Sequence, residues 1–309
     1  MSTDPYYLFG AVLGIGVAVY LSRSGVSQFV AENFVGGMLT TKPILWFVVD
    51  DYGVNHRKWA DFGARNSREL NLGFLNITRS KCAKTQGGDF EIRELLGRKA
   101  VSELIYSMRG RVPQGVEEAP PKIWKAWSRA AILTYAGGLY FDGFGLCLGP
   151  SFATVIAGKD DAIFGTDHDE THVTSVAPPG SYAGWSSGVG HLGWSRLATT
   201  MTDLIEAGQT AWTAAIARGQ IAETTVKSVL PVVSVMRNVE WCRREDGRPL
   251  ELEDILGRSS LDVPTDAVFV CLDQERLERD YTYTWFLRMS PEQILASEST
   301  FVWASVARR

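Results

Sequence analysis

One continuous stretch of the chain combines a helix, a glycine pair, a short strand and an acid, and this order constrains the fold more than any other feature. Apolar side chains recur at helical spacing through residues 124–135, and Gly137 and Gly138 then end the helix. Residues 139–141 form a short apolar run of β-type residues that leads directly to Asp142. A strand that carries an acid at its carboxyl end is typical of an α/β sheet with a site at that edge.

A second acid-terminated strand is predicted near the start of the main domain. The apolar run 44–49 is rich in β-forming residues and ends at Asp50 and Asp51. Strands that alternate with helices predict an α/β sheet domain. The remaining predicted elements are helices over 89–108 and over 195–218 with a break near Gly208, a loop over 109–121, strands at 162–164 and 268–270, and a C-terminal helix that begins with a capping box at Ser290, Pro291 and Gln293 and ends at Arg308 and Arg309.

Composition excludes several classes of protein. The 309 residues carry 31 basic and 35 acidic side chains, a net charge of −4, which disfavours a nucleic-acid binder that relies on phosphate contacts. Aromatic residues at 11% and charged residues at 21% are typical of a globular chain and not of a disordered one. The four cysteines form no CxxC pair, so we interpret them as scattered thiols in a reducing compartment and expect no disulfide scaffold.

The N-terminal segment has the character of a membrane span. No charged residue occurs from Pro5 to Ser22, and a helix of roughly 17–25 apolar residues crosses a bilayer. A buried core helix is the alternative. Arg23 after the run and Asp4 before it favour a main domain on the cytoplasmic side of a single-pass protein. The predicted organisation is a membrane anchor over 1–24, a connector over 25–41 and an α/β domain over 42–309.

The segment around the glycine pair resembles a known family. Its pattern is similar to the "yGGiYxDxD" segment of DXD-type sugar transferases, the group that includes capsular polysaccharide synthesis proteins and yeast-type initiating mannosyltransferases; the matching positions are Arg129, Tyr135, Gly137, Gly138, Tyr140 and Asp142. The resemblance implies a GT-A-like fold and transfer of a sugar from a nucleotide-sugar donor to a glycan acceptor. It also implies a divalent cation, Mn²⁺ or Mg²⁺, that neutralises the diphosphate leaving group.

The resemblance assigns expected roles to individual residues. Asp142 would be the catalytic acid that contacts the metal or the diphosphate, and His191, in a later segment similar to the family's acceptor region, would lie on the acceptor side. The expected donor-binding set is Asp50 and Asp51 near the nucleoside, Arg129 at a phosphate or bracing the strand, and Gly137 and Gly138 at the turn. The alternative for Asp142, Asp50 and Asp51 is that each simply caps a turn after its strand.

Two positions depart from the family pattern. The residue two after Asp142 is Phe144, where a DXD motif has its second acid, and the position three before Arg129 is Ala126, where the family usually has Asp. These losses support a competing hypothesis, in which the fold is retained, the chemistry is lost and the protein is a structural component. The membrane segment would then fix it among protein assembly partners, and a membrane-linked virion or capsid layer is one setting that fits.

Overall fold

The computed structural model describes residues 42–51, 72–166, 183–217, 234–237, 252–257 and 268–302, apart from residues 273, 275–276, 278–280 and 300. The predicted anchor over 1–24 and the connector over 25–41 lie outside these ranges. Among the helices that the structure describes, none combines the length and the apolar character needed to span a bilayer.

The described chain is a mixed α/β structure around a six-stranded sheet, in the spatial order β2-β1-β3-β6-β5-β7. Strand β6 is antiparallel to both of its neighbours, whereas the other paired strands are parallel. The prediction of an α/β sheet is therefore confirmed. The strands are β1 (Ile44–Val49), β2 (Glu91–Leu96), β3 (Gly138–Asp142), β5 (Asp161–Thr166), β6 (Ala183–Ser186) and β7 (Ser234–Arg237), and a separate two-stranded sheet pairs β4 (Gly145–Cys147) with β8 (Phe269–Cys271).

Helices cover both faces of the central sheet. They are α1 (Gly73–Gln86), α2 (Arg98–Ser107), α3 (Pro121–Tyr135), α4 (Phe152–Ile156), α5 (Leu192–Glu206), α6 (Gln209–Ala217), α7 (Leu252–Leu256), α8 (Thr284–Arg288) and α9 (Pro291–Leu295), with 3₁₀ turns at Val116–Glu118 and Tyr281–Tyr283. Proline at its first position begins α3. The predicted break between α5 and α6 is confirmed at Gly208, where φ is +82°.

The two faces of β1 and β3 contribute to separate cores. Because side chains alternate along a strand, Phe47 and Phe141 point into one core while Trp46 and Tyr140 point into the other. The first core also contains side chains of α1 and α8, and the second contains those of α3 and α5. The central strands are buried on both faces, as expected of parallel strands that read as continuous apolar runs.

Two predicted helices differ from the structure. The stretch 89–108 contains strand β2 and then helix α2, with Gly97 between them at φ +88°. Strand β2 forms because its backbone pairs with all six residues of β1, and this long-range contact outweighs the helical spacing of its apolar residues. The C-terminal helix has the predicted capping box at Ser290 and Gln293, but α9 ends at Leu295, and the predicted helix end at Arg308 and Arg309 lies outside the described residues. The hydroxyl of Ser297 then bonds to the Ile294 carbonyl, a local bond that competes with helix propagation.

Candidate functional site

The predicted acids meet at one edge of the central sheet. Strands β1 and β3 are adjacent and parallel, and Val48 is in register with Asp142. Asp50 therefore lies just beyond the same carboxyl edge at which Asp142 ends its strand. Ligands of open α/β sheets bind outside this edge, so the location agrees with the site that the sequence predicts.

Asp142 is buried, with 2% of its surface exposed, and both of its carboxylate oxygens are engaged. The ammonium of Lys125, on α3, lies 2.6 Å from Oδ2. The backbone N–H of Phe144 donates to Oδ1 over 3.0 Å, which closes a tight turn after β3. The carboxylate is thus neutralised and hydrogen-bonded by groups of the chain itself, as a buried charge requires.

Phe144 occupies the position at which a DXD motif has its second acid, and its ring is fully buried. It packs against Phe74 of α1 with the ring centroids 5.3 Å apart. The Lys125 ammonium lies 5.0 Å from the centroid of the Phe144 ring, so the same cation contacts the carboxylate and the aromatic face. A side chain that belongs to the core therefore stands where a metal ligand is expected.

Asp50 is held by Arg98, the first residue of α2. The guanidinium makes a bidentate contact, with Nε 2.8 Å from Oδ1 and Nη2 3.0 Å from Oδ2, and both side chains are buried. The third nitrogen, Nη1, donates to backbone carbonyls of Val116, Glu117 and Ala119. Asp50 thus braces the loop before α3 through Arg98.

Asp51 is exposed and caps a helix. Its Oδ1 accepts the backbone N–H of Arg98 at 3.1 Å, which satisfies a free donor at the start of α2. A Cβ at Gly97 would lie 2.7 Å from the other oxygen of Asp51, so glycine permits this approach. The observed role agrees with the turn-capping alternative.

Arg129 and Tyr140 lie behind Asp142 in the interior. Burial lowers the pKa of Arg129 to about 10, and the nearby Tyr140 and Asp142 raise it in part. Burial, with the Asp142 carboxylate as the next cause, raises the pKa of Tyr140 well above its ordinary value. Arg129 also contacts Gly184 of β6 closely, since a Cβ at that glycine would lie 3.1 Å from Cδ of the arginine. Arg129 is buried between α3 and the sheet, a location that fits the predicted role of bracing the strand.

The glycine pair lies at the amino end of strand β3, and Asp142 lies at its carboxyl end, so the two sites are at opposite edges of the sheet. Both residues have positive φ, +66° at Gly137 and +86° at Gly138. A Cβ at Gly138 would lie 2.4 Å from the Ile44 carbonyl oxygen, and the Trp46 indole N–H donates to the Gly137 carbonyl over 2.9 Å. The glycines therefore allow α3 to turn tightly into β3 beside β1, which is a structural role.

His191 also lies at that opposite edge. It precedes α5, and its Nδ1 is 3.0 Å from Oδ2 of Asp161, whose Oδ1 accepts a bond from the Ser186 hydroxyl. Ser186 is in register with Gly138, at the amino end of β3. The four residue steps from there to Asp142 correspond to roughly 13 Å along the strand. The structure thus brings together Asp50, Asp51 and Asp142 but not His191.

A cleft of about 690 Å³ lies beside the loop that Arg98 braces. Its lining comes from that loop and from the joint between α5 and α6, and it includes Glu118, Glu206 and Trp212. None of the predicted site residues lines it. Within the described part of the chain, no group of three or more His, Cys, Asp or Glu side chains is arranged to hold a metal ion.

Sequence reasoning missed two residues that matter at the carboxyl edge, Lys125 and Arg98, whereas Asp161, from the acidic stretch 160–170 that we expected near the cation, lies at the other edge with His191. Lys125 lies one helical turn before Arg129 on α3, so the helix prediction contained the signal that both face β3. Arg98 gave no such signal, because its partner lies 48 positions earlier in the chain. Comparisons with protein-family models, with curated proteins and with solved structures find no match to this chain.

Proposed function

We propose that the chain has a sugar-transferase-type fold whose donor site no longer binds a cation, and that it acts as a catalytically inactive, membrane-linked structural protein. The basis for the fold is the resemblance of the segment around Gly137, Gly138 and Asp142, together with a mostly parallel sheet that carries acids at its carboxyl edge. A GT-A-like arrangement is compatible with that sheet.

The observation that carries the proposal is the pairing of Lys125 with Asp142. A divalent cation at a DXD site supplies positive charge next to the carboxylate, and here a lysine ammonium at 2.6 Å supplies it. Any metal would have to displace a buried ion pair and would then find Phe144 in place of a second oxygen ligand. Both costs act against Mn²⁺ or Mg²⁺ binding.

The contacts of Asp50 support the same conclusion. A residue that recognises a nucleoside must be reachable by it, whereas Asp50 is only 1% exposed and both of its oxygens accept from Arg98. Asp51 is exposed, but one of its oxygens caps α2. The two acids therefore stabilise α2 and the loop before α3.

An active transferase is the second candidate, and one observation favours it. Asp50, Asp51 and Asp142 approach one edge of the sheet from adjacent strands, which is where an open α/β sheet binds its ligand. An active enzyme would use Asp142 for the cation and Arg129 for a phosphate, and Lys125 would swing away when the nucleotide-sugar arrives. His191 would not serve the same site from its place at the other edge.

A structural role is consistent with the sequence of the N-terminus. The uncharged run from Pro5 to Ser22 would anchor the protein, and its partners would then be the membrane and other proteins of an assembly, such as a virion or capsid layer. After expression in cells, the full chain is expected in the membrane fraction and resistant to carbonate extraction, whereas a chain lacking 1–24 is expected in the soluble fraction. Recovery of the full chain in the soluble fraction would overturn the proposal that residues 1–24 anchor the protein in a membrane.

The proposal that the protein is catalytically inactive is tested by measuring hydrolysis of nucleotide-sugar donors. The full chain in detergent is incubated with Mn²⁺ and a panel of nucleotide-sugars, and release of the nucleoside diphosphate is measured beside the Asp142→Asn variant. The proposal predicts equal background release from both proteins. Release that exceeds background and is lost in Asp142→Asn would establish the second candidate instead.

A further inference from the structure

Helix α1 lies along the segment that follows Asp142, and one face of the helix contacts that segment. Thr78, Cys82 and Gln86 are spaced at i, i+4 and i+8, so they form a single row on that face. All three side chains are fully buried. The segment they face runs from the turn at Gly143 through β4 to the start of α4.

The two ends of this row fix the position of its centre. The Thr78 hydroxyl donates to the Gly143 carbonyl at 3.1 Å, before β4 begins. At the other end, Gln86 Oε1 accepts the backbone N–H of Phe152 at 2.9 Å, after β4 has ended. The middle residue, Cys82, is therefore held opposite β4, the strand that ends at Cys147.

Both thiols are free, and the Cys82 thiol is near enough to Cys147 to influence its ionisation. Both sulfur atoms belong to fully buried residues. Burial raises the pKa of the Cys147 thiol, while a hydrogen bond from Thr85 and the charge of Lys81 lower it in part. The pair is thus protected in the folded protein, and its partners are set by the packing of α1 on β4.

We propose that Cys82 and Cys147 form a modification site, a thiol pair that oxidises to an intrachain disulfide with a low-molecular-weight disulfide as the oxidant. One cysteine thiolate attacks oxidised glutathione, forms a mixed disulfide and releases one glutathione thiolate, which takes up the proton that the cysteine lost. The second cysteine thiolate attacks the protein sulfur of that mixed disulfide and releases the second glutathione. Two protein thiols are oxidised and one glutathione disulfide is reduced to two thiols.

The disulfide would join α1 to the strand that directly follows the Asp142 turn. The bonds of Thr78 and Gln86 already hold the two segments together on either side of the thiols, so oxidation adds a covalent bond between segments that are already packed together. This inference is independent of the proposed function, because it concerns the support of the turn and not the chemistry of Asp142.

The experiment uses the full chain in detergent, refolded from denaturant in a glutathione buffer so that burial does not block access of the oxidant. Free thiols are then alkylated under denaturing conditions and counted by mass spectrometry. The expected result is a fall from four alkylated cysteines to two, with a non-reduced peptide that joins Cys82 to Cys147. The oxidised protein is expected to melt at a higher temperature, and dithiothreitol should reverse the shift.

Single-residue variants separate this pair from the other two cysteines. Cys82→Ala and Cys147→Ala should each abolish the cross-linked peptide, whereas the double variant Cys242→Ser, Cys271→Ser should retain it. Four alkylated thiols after refolding in the oxidant would overturn the proposal. A disulfide that joins Cys82 or Cys147 to a different cysteine would overturn it as well, even if the number of free thiols falls.

Discussion

The ammonium of Lys125 lies 2.6 Å from Oδ2 of Asp142, the acid at the carboxyl end of the central strand β3. The lysine reaches the acid from helix α3, one turn before Arg129. Because the ammonium also contacts the face of Phe144, one side chain compensates the charge of Asp142 and packs against the residue whose N–H closes the turn after β3. The carboxyl edge of the sheet is thereby stabilised without a ligand.

Removing this cation should destabilise the protein. In Lys125→Met the side chain keeps a similar length but loses its charge, and the buried Asp142 carboxylate is left without a counter-ion. We expect the free energy of unfolding to fall by about 3 kcal/mol, the low end for breaking a buried pair, because Lys125 is partly exposed. Chemical denaturation measures the change.

The matched control is Lys99→Met, at a solvent-exposed pair with Glu103 and an N–O distance of 3.8 Å. Its expected cost is at most about 0.5 kcal/mol. Equal effects of the two substitutions would show that Asp142 does not depend on Lys125 for its charge compensation.

Arg98 should be intolerant of lysine. Arg98→Lys keeps the charge but cannot contact both oxygens of Asp50 and also reach the carbonyls of the loop before α3. We expect a loss of about 3 kcal/mol in unfolding free energy, measured by denaturant titration. Arg79→Lys, at the surface pair with Glu94, is the control and should change stability by less than about 0.5 kcal/mol. A small effect at both positions would contradict the bracing role of Asp50.

The sequence predicted the elements whose signals are local. The strand 44–49, the helix that ends before Gly137 and the capping box at Ser290 each rest on neighbouring residues, and each is present in the structure. Strand β2 was predicted as helix because its apolar residues fit either period, and only its pairing with β1 decides between them. Asp50, Asp51 and Asp142 lie at one edge of the sheet because strands β1 and β3 are adjacent and parallel, an arrangement that the sequence pattern alone does not specify.

The side-chain partners could not be predicted in the same way. Lys125 and Asp142 are 17 positions apart, and Arg98 and Asp50 are 48 apart, so no periodic pattern links them. His191, which we expected on the acceptor side, lies at the opposite edge of the sheet from Asp142. Strand β6 runs antiparallel to β3, which places the residues after β6 at the opposite edge, and strand direction was not specified by any local signal.

Gly138 should be required for the turn between α3 and β3. In Gly138→Ala the Cβ would meet the Ile44 carbonyl oxygen at 2.4 Å and the residue would keep a φ of +86°. We expect a loss of roughly 3 kcal/mol in unfolding free energy from backbone strain and displacement of β1. Gly115→Ala isolates the strain, because φ is +81° there but no atom lies within 4 Å of the added Cβ. Its cost should be about 1–2 kcal/mol, and a larger cost at Gly115 would rule out the clash as the cause.

Tyr140 should make stability fall at alkaline pH. Its folded pKa is raised above the ordinary value of 10.0, so the folded state keeps a proton that the unfolded state loses. The stability that protonated Tyr140 contributes is fully present below pH 10.0. It is lost as the pH rises above that value, at up to about 1.4 kcal/mol of unfolding free energy per pH unit. Relative to Tyr140→Phe, the wild-type chain should therefore lose stability between about pH 9 and about pH 11 in urea titrations. Parallel pH profiles for the two proteins would contradict this prediction.

The central claim is that Asp142 is already neutralised and does not bind a cation with a nucleotide, and calorimetric titration of the full chain tests it most directly. Mn²⁺ with uridine diphosphate, and then with guanosine diphosphate, is titrated into the wild-type protein and into Asp142→Asn. We expect no binding heat with either protein beyond that of dilution. A saturable heat with the wild-type chain that is absent in Asp142→Asn would contradict it and would identify the carboxyl edge as a working donor site.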